Sequence, residues 1–237
     1  MSQLVLDDVV DSRLSLGWGG RFYGAYTALV VDIRDPDGQG RVRVALPWSP
    51  DGDGGAYEAW ARLATTMAGG NRGTWLVPDV GDEVLVVFEA GDTRRPYVVG
   101  ALWNGRDAPP ERMDGAGRNT AKTIRSRNGV VVSLDDSDGQ ERLLLQTPGG
   151  QQMTLRDGPG SIELRDANGN SVTLDAGGVT VVASARVTVQ ASSIELSAGT
   201  VTVNAGMSRF SGVVQADTVI TNSVVSVSYT PGAGNIW

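Results

Sequence analysis

Apolar and polar residues alternate at every second position in several short runs along this chain. That is the period of a strand with one covered face. Residues 26–33 alternate, with β-branched side chains among them, and Asp35-Pro36-Asp37-Gly38-Gln39-Gly40 then supplies turn chemistry. Residues 41–48 alternate again, so the pair reads as a hairpin. A Gly/Asp loop spans residues 49–55, and Trp60-Ala61-Arg62-Leu63-Ala64 reads as a half-buried strand. Residues 83–88 and 96–102 form a second hairpin around Ala90-Gly91-Asp92-Thr93. No long helix-period pattern interrupts them. Five strands within about eighty residues predict an OB-like Greek-key barrel over residues 23–105.

Farther along, the alternation becomes an internal repeat. The blocks are Ser-Val-Thr-Leu-Asp-Ala-Gly (171–177), Gly-Val-Thr-Val-Val-Ala-Ser-Ala (178–185), Arg-Val-Thr-Val-Gln-Ala-Ser (186–192), Ser-Ile-Glu-Leu-Ser-Ala-Gly (193–199) and Thr-Val-Thr-Val-Asn-Ala-Gly (200–206). A seven-residue period is also that of a coiled coil. Here the apolar positions lie two apart, Val and Thr dominate, and Gly recurs at block ends, so each block is a short strand and a corner. Such a strand spans about 15 Å. One block is too short to travel round a closed single-chain β-helix, so it lays down one side of a prism and steps on. Alone, that strip would leave its apolar row and its strand edges in water. Three copies winding together solve both problems. The expectation is therefore a trimeric, intertwined triangular β-helix. Its inward row is Val172, Leu174, Val179, Val181, Val187, Val189, Ile194, Leu196, Val201 and Val203, and its outward row is Thr173, Thr180, Thr188, Glu195 and Thr202. Upstream, Leu134, Leu144, Leu155, Leu164 and Leu174 recur near every tenth residue between Gly-rich turns. These rungs fit prism sides with longer corners or antiparallel hairpins equally well.

The regions around these patterns differ in composition. Residues 1–22 read as an arm with a short apolar stripe, Leu4, Leu6, Val9 and Val10, and a Gly hinge. Residues 106–125, with Pro109-Pro110 and Gly115-Ala116-Gly117, read as a linker. Residues 126–237 read as one region of short alternating strands, and 229–237, with Tyr229, Ile236 and Trp237, read as its folded apex. The N-terminal stretch lacks the pattern of a signal peptide, so the chain is expected to start in the cytoplasm.

Composition removes whole classes of chemistry. The 237 residues include no cysteine and no histidine. A disulfide framework, a thiolate nucleophile, a Ser-His-Asp triad and a Cys/His zinc site are thus impossible within the chain. The net charge of −7 argues against a nucleic-acid partner. Weaker candidates remain. Asp51-Gly52-Asp53-Gly54 and Asp136-Ser137-Asp138-Gly139 look faintly like calcium loops but lack the full ligand ladder. Asp82 with Glu83, and Glu89 with Asp92, resemble a glycosidase carboxylate pair. Lys122 and Ser126 could be read as a Ser-Lys dyad. Trp48, Trp60, Trp75 and Trp103 could stack on bases or sugars. Asx turns, solvated charges and core packing explain these features more simply. No catalytic residue, cofactor or metal is expected.

Several motifs in order resemble the phage baseplate assembly protein V family. They are Arg21-Phe22-Tyr23-Gly24-Ala25-Tyr26, then Asp35 to Val44, then Val80-Gly81-Asp82-Glu83-Val84-Leu85-Val86, and Gly91-Asp92-Thr93-Arg94-Arg95-Pro96-Tyr97-Val98-Val99-Gly100. That family includes the central spikes of contractile phage tails, of extracellular injection particles and of type VI secretion. The resemblance implies an OB collar followed by a trimeric needle beneath a tail tube. It also implies a structural protein that pierces an envelope mechanically, at a baseplate tip, once assembled. Only about twenty residues precede the barrel here, so the resemblance implies that the hub region of the type VI spikes lies on another chain, docked by the stripe Leu4, Leu6, Val9 and Val10. Some spikes of the family hold iron through His-x-His; without histidine, a metal-bearing tip would have to be a separate PAAR-type cap, and Tyr229, Ile236 and Trp237 of the needle's apex either seal the tube or seat that cap. A glycan hydrolase built on the same needle would need carboxylates on its outward face, and a receptor-binding fibre would need a terminal knob. After residue 175 only Arg186, Glu195, Arg209 and Asp217 are charged.

The alternation within the repeat is directly testable. Val201→Asp would bring three carboxylates together at a dry axis, at a cost of several kcal/mol. Thr202→Asp would place its charges in water on separate faces. The first substitution should lower melting temperature and protease resistance, and the second should leave both near the parent's. Equal behaviour of the two variants would show that the blocks fold in another register.

Overall fold

The structure, a computed structural model, describes residues 21–50, 54–158 and 160–228. It divides into two units, residues 1–186 and 187–237. In the first unit, strands β1 (Tyr26–Asp32), β2 (Val42–Pro50), β3 (Ala56–Leu63), β6 (Glu83–Phe88) and β7 (Pro96–Ala101) close a barrel in the order β1-β2-β3-β7-β6. The short strands β4 (Ala68–Gly69) and β5 (Arg72–Gly73) make a hairpin outside the barrel wall. All barrel neighbours are antiparallel except β3 and β7, which meet in parallel and close the ring. The expected five-stranded barrel is thus present. Its third strand starts at Ala56, several residues before the apolar run that signalled it.

Alternation explains the core. In β6, Val84, Val86 and Phe88 are buried while Glu83, Leu85 and Val87 are half-buried. Val30, Val42, Val44, Leu46, Ala61 and Val98 meet the same interior. Register shifts between Val30 and Asp32, and between Leu85 and Val86, mark irregularities of the kind that bend strands into a closed wall. Four rings pack with this core. Tyr26 lies 4.7 Å from Trp48, and Phe22 lies 5.2 Å from Trp48 and 6.2 Å from Phe88, centroid to centroid. The Trp48 indole N–H donates to the Thr27 carbonyl at 2.7 Å.

Phe22 reaches this cluster because the backbone beside it is clamped. Its N–H donates to the Gly91 carbonyl at 2.9 Å, and the Arg21 guanidinium donates to the Ala90 carbonyl at 3.0 Å. Gly91 is buried with φ of 77°. A Cβ there would lie 3.0 Å from both the Arg21 Cβ and the Phe22 nitrogen.

Past the barrel, seven strands form one antiparallel meander. They are β8 (Ala121–Arg125), β9 (Val131–Asp135), β10 (Arg142–Gln146), β11 (Gln152–Arg156), β12 (Ser161–Arg165), β13 (Ser171–Asp175) and β14 (Gly178–Val182). Strand β8 falls within the stretch read as linker, so the sheet begins at residue 121. The rungs before residue 171 are antiparallel hairpins. The first two repeat blocks also differ from the expected step to a new layer: they pair with each other, Thr173 opposite Thr180. Gly178, at φ of 121°, permits the reversal.

Aspartates fasten the turns. Asp35 accepts the backbone N–H groups of Asp37, Gln39 and Arg41 and an ion pair from Arg41 at 2.6 Å. Asp32 pairs with Arg34 at 2.9 Å and Asp92 with Arg94 at 2.7 Å. Hydrogen bonds from these arginines hold all three carboxyls well below the usual range. Asp166 is lowered to about 2, first by the side chain and backbone of Asn170 and then by Asn168.

Two consequences for stability can be measured. Gly91→Ala combines positive φ with a close approach and should cost about 1–3 kcal/mol, read as a lower melting temperature. Gly38→Ala, also at positive φ but in open space, should cost less; equal losses would mean that the contact with residues 21–22 is unimportant. The second consequence is pH dependence. Unfolded aspartates titrate near about 3.9, so the depressed carboxyls stabilise the fold fully above about pH 5. That contribution disappears as pH falls from about 4 toward 2. With no histidine, melting temperature should be flat between about pH 5 and 8 and fall below about pH 4. Asp35→Asn should lower the plateau and reduce the acid slope.

Candidate functional site

The meander has a constant register. Its cross-strand partners run Thr123, Ser133, Leu144, Thr154, Glu163, Thr173 and Thr180 in one row across all seven strands. The rows on either side point to the opposite face, because neighbours in a strand alternate. One holds Leu134, Leu143, Leu155, Ile162, Leu174 and Val179; the other holds Ile124, Val132, Leu145, Met153, Leu164, Val172 and Val181. Lys122, on edge strand β8, is the single polar member, and it pairs with Asp136 at 3.4 Å. The result is a continuous apolar face. It is at best partly covered within the chain: Leu134 and Leu164 are 45% exposed and Val179 is 69% exposed.

The other face satisfies itself. Thr154 is buried at its centre and accepts a hydrogen bond from the Gln152 amide at 2.9 Å. Glu163 receives Arg165 at 2.5 Å and Arg156 at 3.6 Å. Asp135 accepts from Ser137 and lies 3.5 Å from Arg142; the Ser137 hydroxyl is the main cause of its lowered pKa. Leu144 belongs to this polar face. Three consecutive leucines must alternate, and Leu143 and Leu145 take the apolar side.

Among the residues read as an inward row, Val172, Leu174, Val179 and Val181 share the apolar face. Val187, Val189, Ile194, Leu196, Val201 and Val203 belong to the second unit. There, no strand pairing is present among the described residues, and every described side chain is exposed. Tyr229, Ile236 and Trp237, and Leu4, Leu6, Val9 and Val10, lie outside the described residues. The leucine spacing found only part of the apolar face. A stronger signal was available: the triplet apolar–any–apolar recurs as Val132-Ser133-Leu134, Met153-Thr154-Leu155 and Ile162-Glu163-Leu164, then continues into the seven-residue blocks.

Local contacts tie the meander to the barrel and close its far end. Arg127, in the β8–β9 turn, meets Asp79 of the loop before β6 at 2.8 Å. Asn104 donates to Glu83 at 2.8 Å, and Arg106 to the Gly81 carbonyl at 3.2 Å. At the far end the Asn170 side chain is held by Asp166, and its oxygen accepts the Ser184 N–H at 2.9 Å.

The catalytic candidates are all used locally. Asp82 accepts the Asp79 N–H, Glu83 is held by Asn104, Glu89 lies 3.4 Å from Arg95, and Asp92 is occupied by Arg94. Lys122 bonds the Asn119 carbonyl, and the Ser126 hydroxyl accepts the Val130 N–H. Four residues apart along extended chain, they stand about 13 Å from each other. Asp136-Ser137-Asp138-Gly139 forms the β9–β10 turn, while Asp51 to Asp53 lie outside the described residues. No cluster of three metal-ligating side chains occurs among the described residues. Trp48 packs with the core, Trp60 lies under the guanidinium groups of Arg41 and Arg43, and Trp75 and Trp103 are exposed. No helix among the described residues is long and apolar enough to cross a membrane.

Comparison with known proteins finds two family domains in the chain. Residues 26–103 match the type VI secretion system/phage-baseplate injector OB domain, which covers the barrel. Residues 142–207 match the phage baseplate V C-terminal trimerisation domain, which covers β10 to β14 and the repeat. The chain is 27% identical over 143 residues to the type VI secretion system spike protein VgrG1b of Pseudomonas aeruginosa, an alignment spanning 56% of this chain and 19% of the relative. It is 32% identical over 137 residues to VgrG4b of the same organism, at 53% and 17%. With the VgrG3 spike protein of Vibrio cholerae it shares 29% over 113 residues, at 46% and 11%. The chain thus spans about a fifth or less of these relatives. A barrel and a repeat that match two adjoining family domains in order, together covering more than half of the sequence, place this chain in the phage baseplate V and VgrG family of spike proteins.

Proposed function

We propose that this chain is the structural spike of a contractile injection machine. It acts as a homotrimer whose β8–β14 faces turn inward and whose seven-residue blocks continue as an intertwined triangular β-helix. The observation that carries this reading is the unbroken apolar face followed by unpaired apolar–polar–apolar blocks. A single copy leaves thirteen such side chains at least partly in water, and covering each is worth on the order of 1 kcal/mol. Three-fold winding covers the face and supplies neighbours for strands that have none. The opposite face is already satisfied, which suits a surface that stays in water.

The work of such a spike is mechanical. The barrels form a collar that docks a hub protein through the stripe Leu4, Leu6, Val9 and Val10, while Phe22, at the end of the stretch read as the arm, belongs to the barrel core. Thrust passes through the joint that Arg127 and Asp79 brace, and the needle breaches the target envelope. The distal residues seat a PAAR-type cap. The trimer assembles in the cytoplasm and then sits at the baseplate tip of a phage or a phage-tail-like particle. No residue is assigned to catalysis, and carboxylates committed to arginines and turn amides support that reading.

Light scattering tests the assembly. The purified chain should have three times the 24.8 kDa mass of one copy and keep it in mild denaturant. A folded monomer at micromolar concentration would overturn the proposal.

A further inference from the structure

Strand β14 ends the meander with one edge unpaired by its own chain. All five of its residues are exposed, and it carries no charge or proline to guard that edge. The connection after β14 differs from every earlier one in the sheet. Each of the six reversals between β8 and β14 contains or adjoins a glycine at positive φ: Gly129, Gly139, Gly150, Gly160, Gly169 and Gly178. The next connection is Ala183-Ser184-Ala185. It has no glycine, asparagine or aspartate to take up that conformation, and no described residue beyond Gly178 has positive φ. Ser184 is also held, by the Asn170 side chain. The chain therefore stops folding back on itself here. Yet the next block carries the same triplet, Val187-Thr188-Val189, as β14 does in Val179-Thr180-Val181.

We propose that residues 183–185 are a hand-over point, where the free edge of β14 in one copy takes residues 186–190 of a second copy as its next strand. This rests on the trimeric spike reading and adds its register. Six successive strand pairs align the central residue of each strand with that of the next, Thr173 opposite Thr180 being the last. Extending that row sets Thr188 of the second copy beside Thr180. The triplet is symmetric about its threonine, so this holds whether the added strand runs parallel or antiparallel. Valines 187 and 189 then continue the apolar rows, and the threonines stay on the polar face. The same exchange around three copies leaves no copy with an open β14 edge.

The chain has no cysteine, so introduced thiols report without background. Thr180→Cys and Thr188→Cys are combined in one chain, and each is also made alone. Every variant is sized by light scattering, then oxidised or bridged with a short bismaleimide. The double variant should run on a denaturing, non-reducing gel at three times the mass of one copy, while each single variant runs as one copy. Closure within one copy would overturn the hand-over, because the chain would have turned back after all. A trimer by light scattering that gives no bridge between the two positions would overturn the register and leave the spike reading standing. A monomer by light scattering would overturn both.

Discussion

The seven-stranded sheet past the barrel depends on one constraint: neighbouring side chains in a strand point to opposite faces, and from β8 to β14 the register never slips. Six pairings in succession keep the same central row. Apolar residues on either side of that row therefore accumulate on one face, strand after strand. A slip by one residue would scatter leucines among arginines on both faces. The turns prevent it. Each is fixed in length and carries a glycine where the backbone must turn through positive φ. Asp135, Asp166 and Asp175 lock their turns by accepting nearby backbone N–H groups.

The barrel solves the same problem differently. Its strands curl until the apolar faces meet inside one chain, so Leu46, Val84 and Val86 are fully buried. It needs no second copy for its core. It does need residues 21 and 22, which the Gly91 turn clamps beside the aromatic cluster. The two halves of the first unit thus differ in what completes them: a self-contained core in one, an open face in the other.

Alternation with flanking turns is written in single residues, so the five barrel strands and the first two repeat blocks, β13 and β14, were readable as strands. The parts that were not readable depend on distant partners. Ala56 joins β3 through pairing with β2, with no apolar signal of its own. Strand β8 looks polar, as Ala-Lys-Thr-Ile-Arg, and is a strand because β9 lies beside it. Leu144 was grouped with the other leucines by spacing, and only the register puts it on the polar face. The antiparallel pairing of the first two blocks turns on Gly178, whose conformation composition does not reveal. The Asn170 contact with Ser184 spans fourteen residues and leaves no local pattern.

The meander and the repeat also set how a protein of this design can change length. Each added strand widens a sheet by about 4.8 Å. In the meander every strand reverses the chain, so an insertion must come as a pair, about 10 Å at once, if the chain is to leave β14 in the same direction. A single extra strand would send residues 183–185 out of the wrong end of the sheet. The glycines that end blocks after residue 186, Gly199 and Gly206, are not at positive φ, so in the proposed β-helix a block can be gained or lost singly there. Length in this architecture comes in two sizes of step, coarse on the barrel side of Ser184 and fine beyond it.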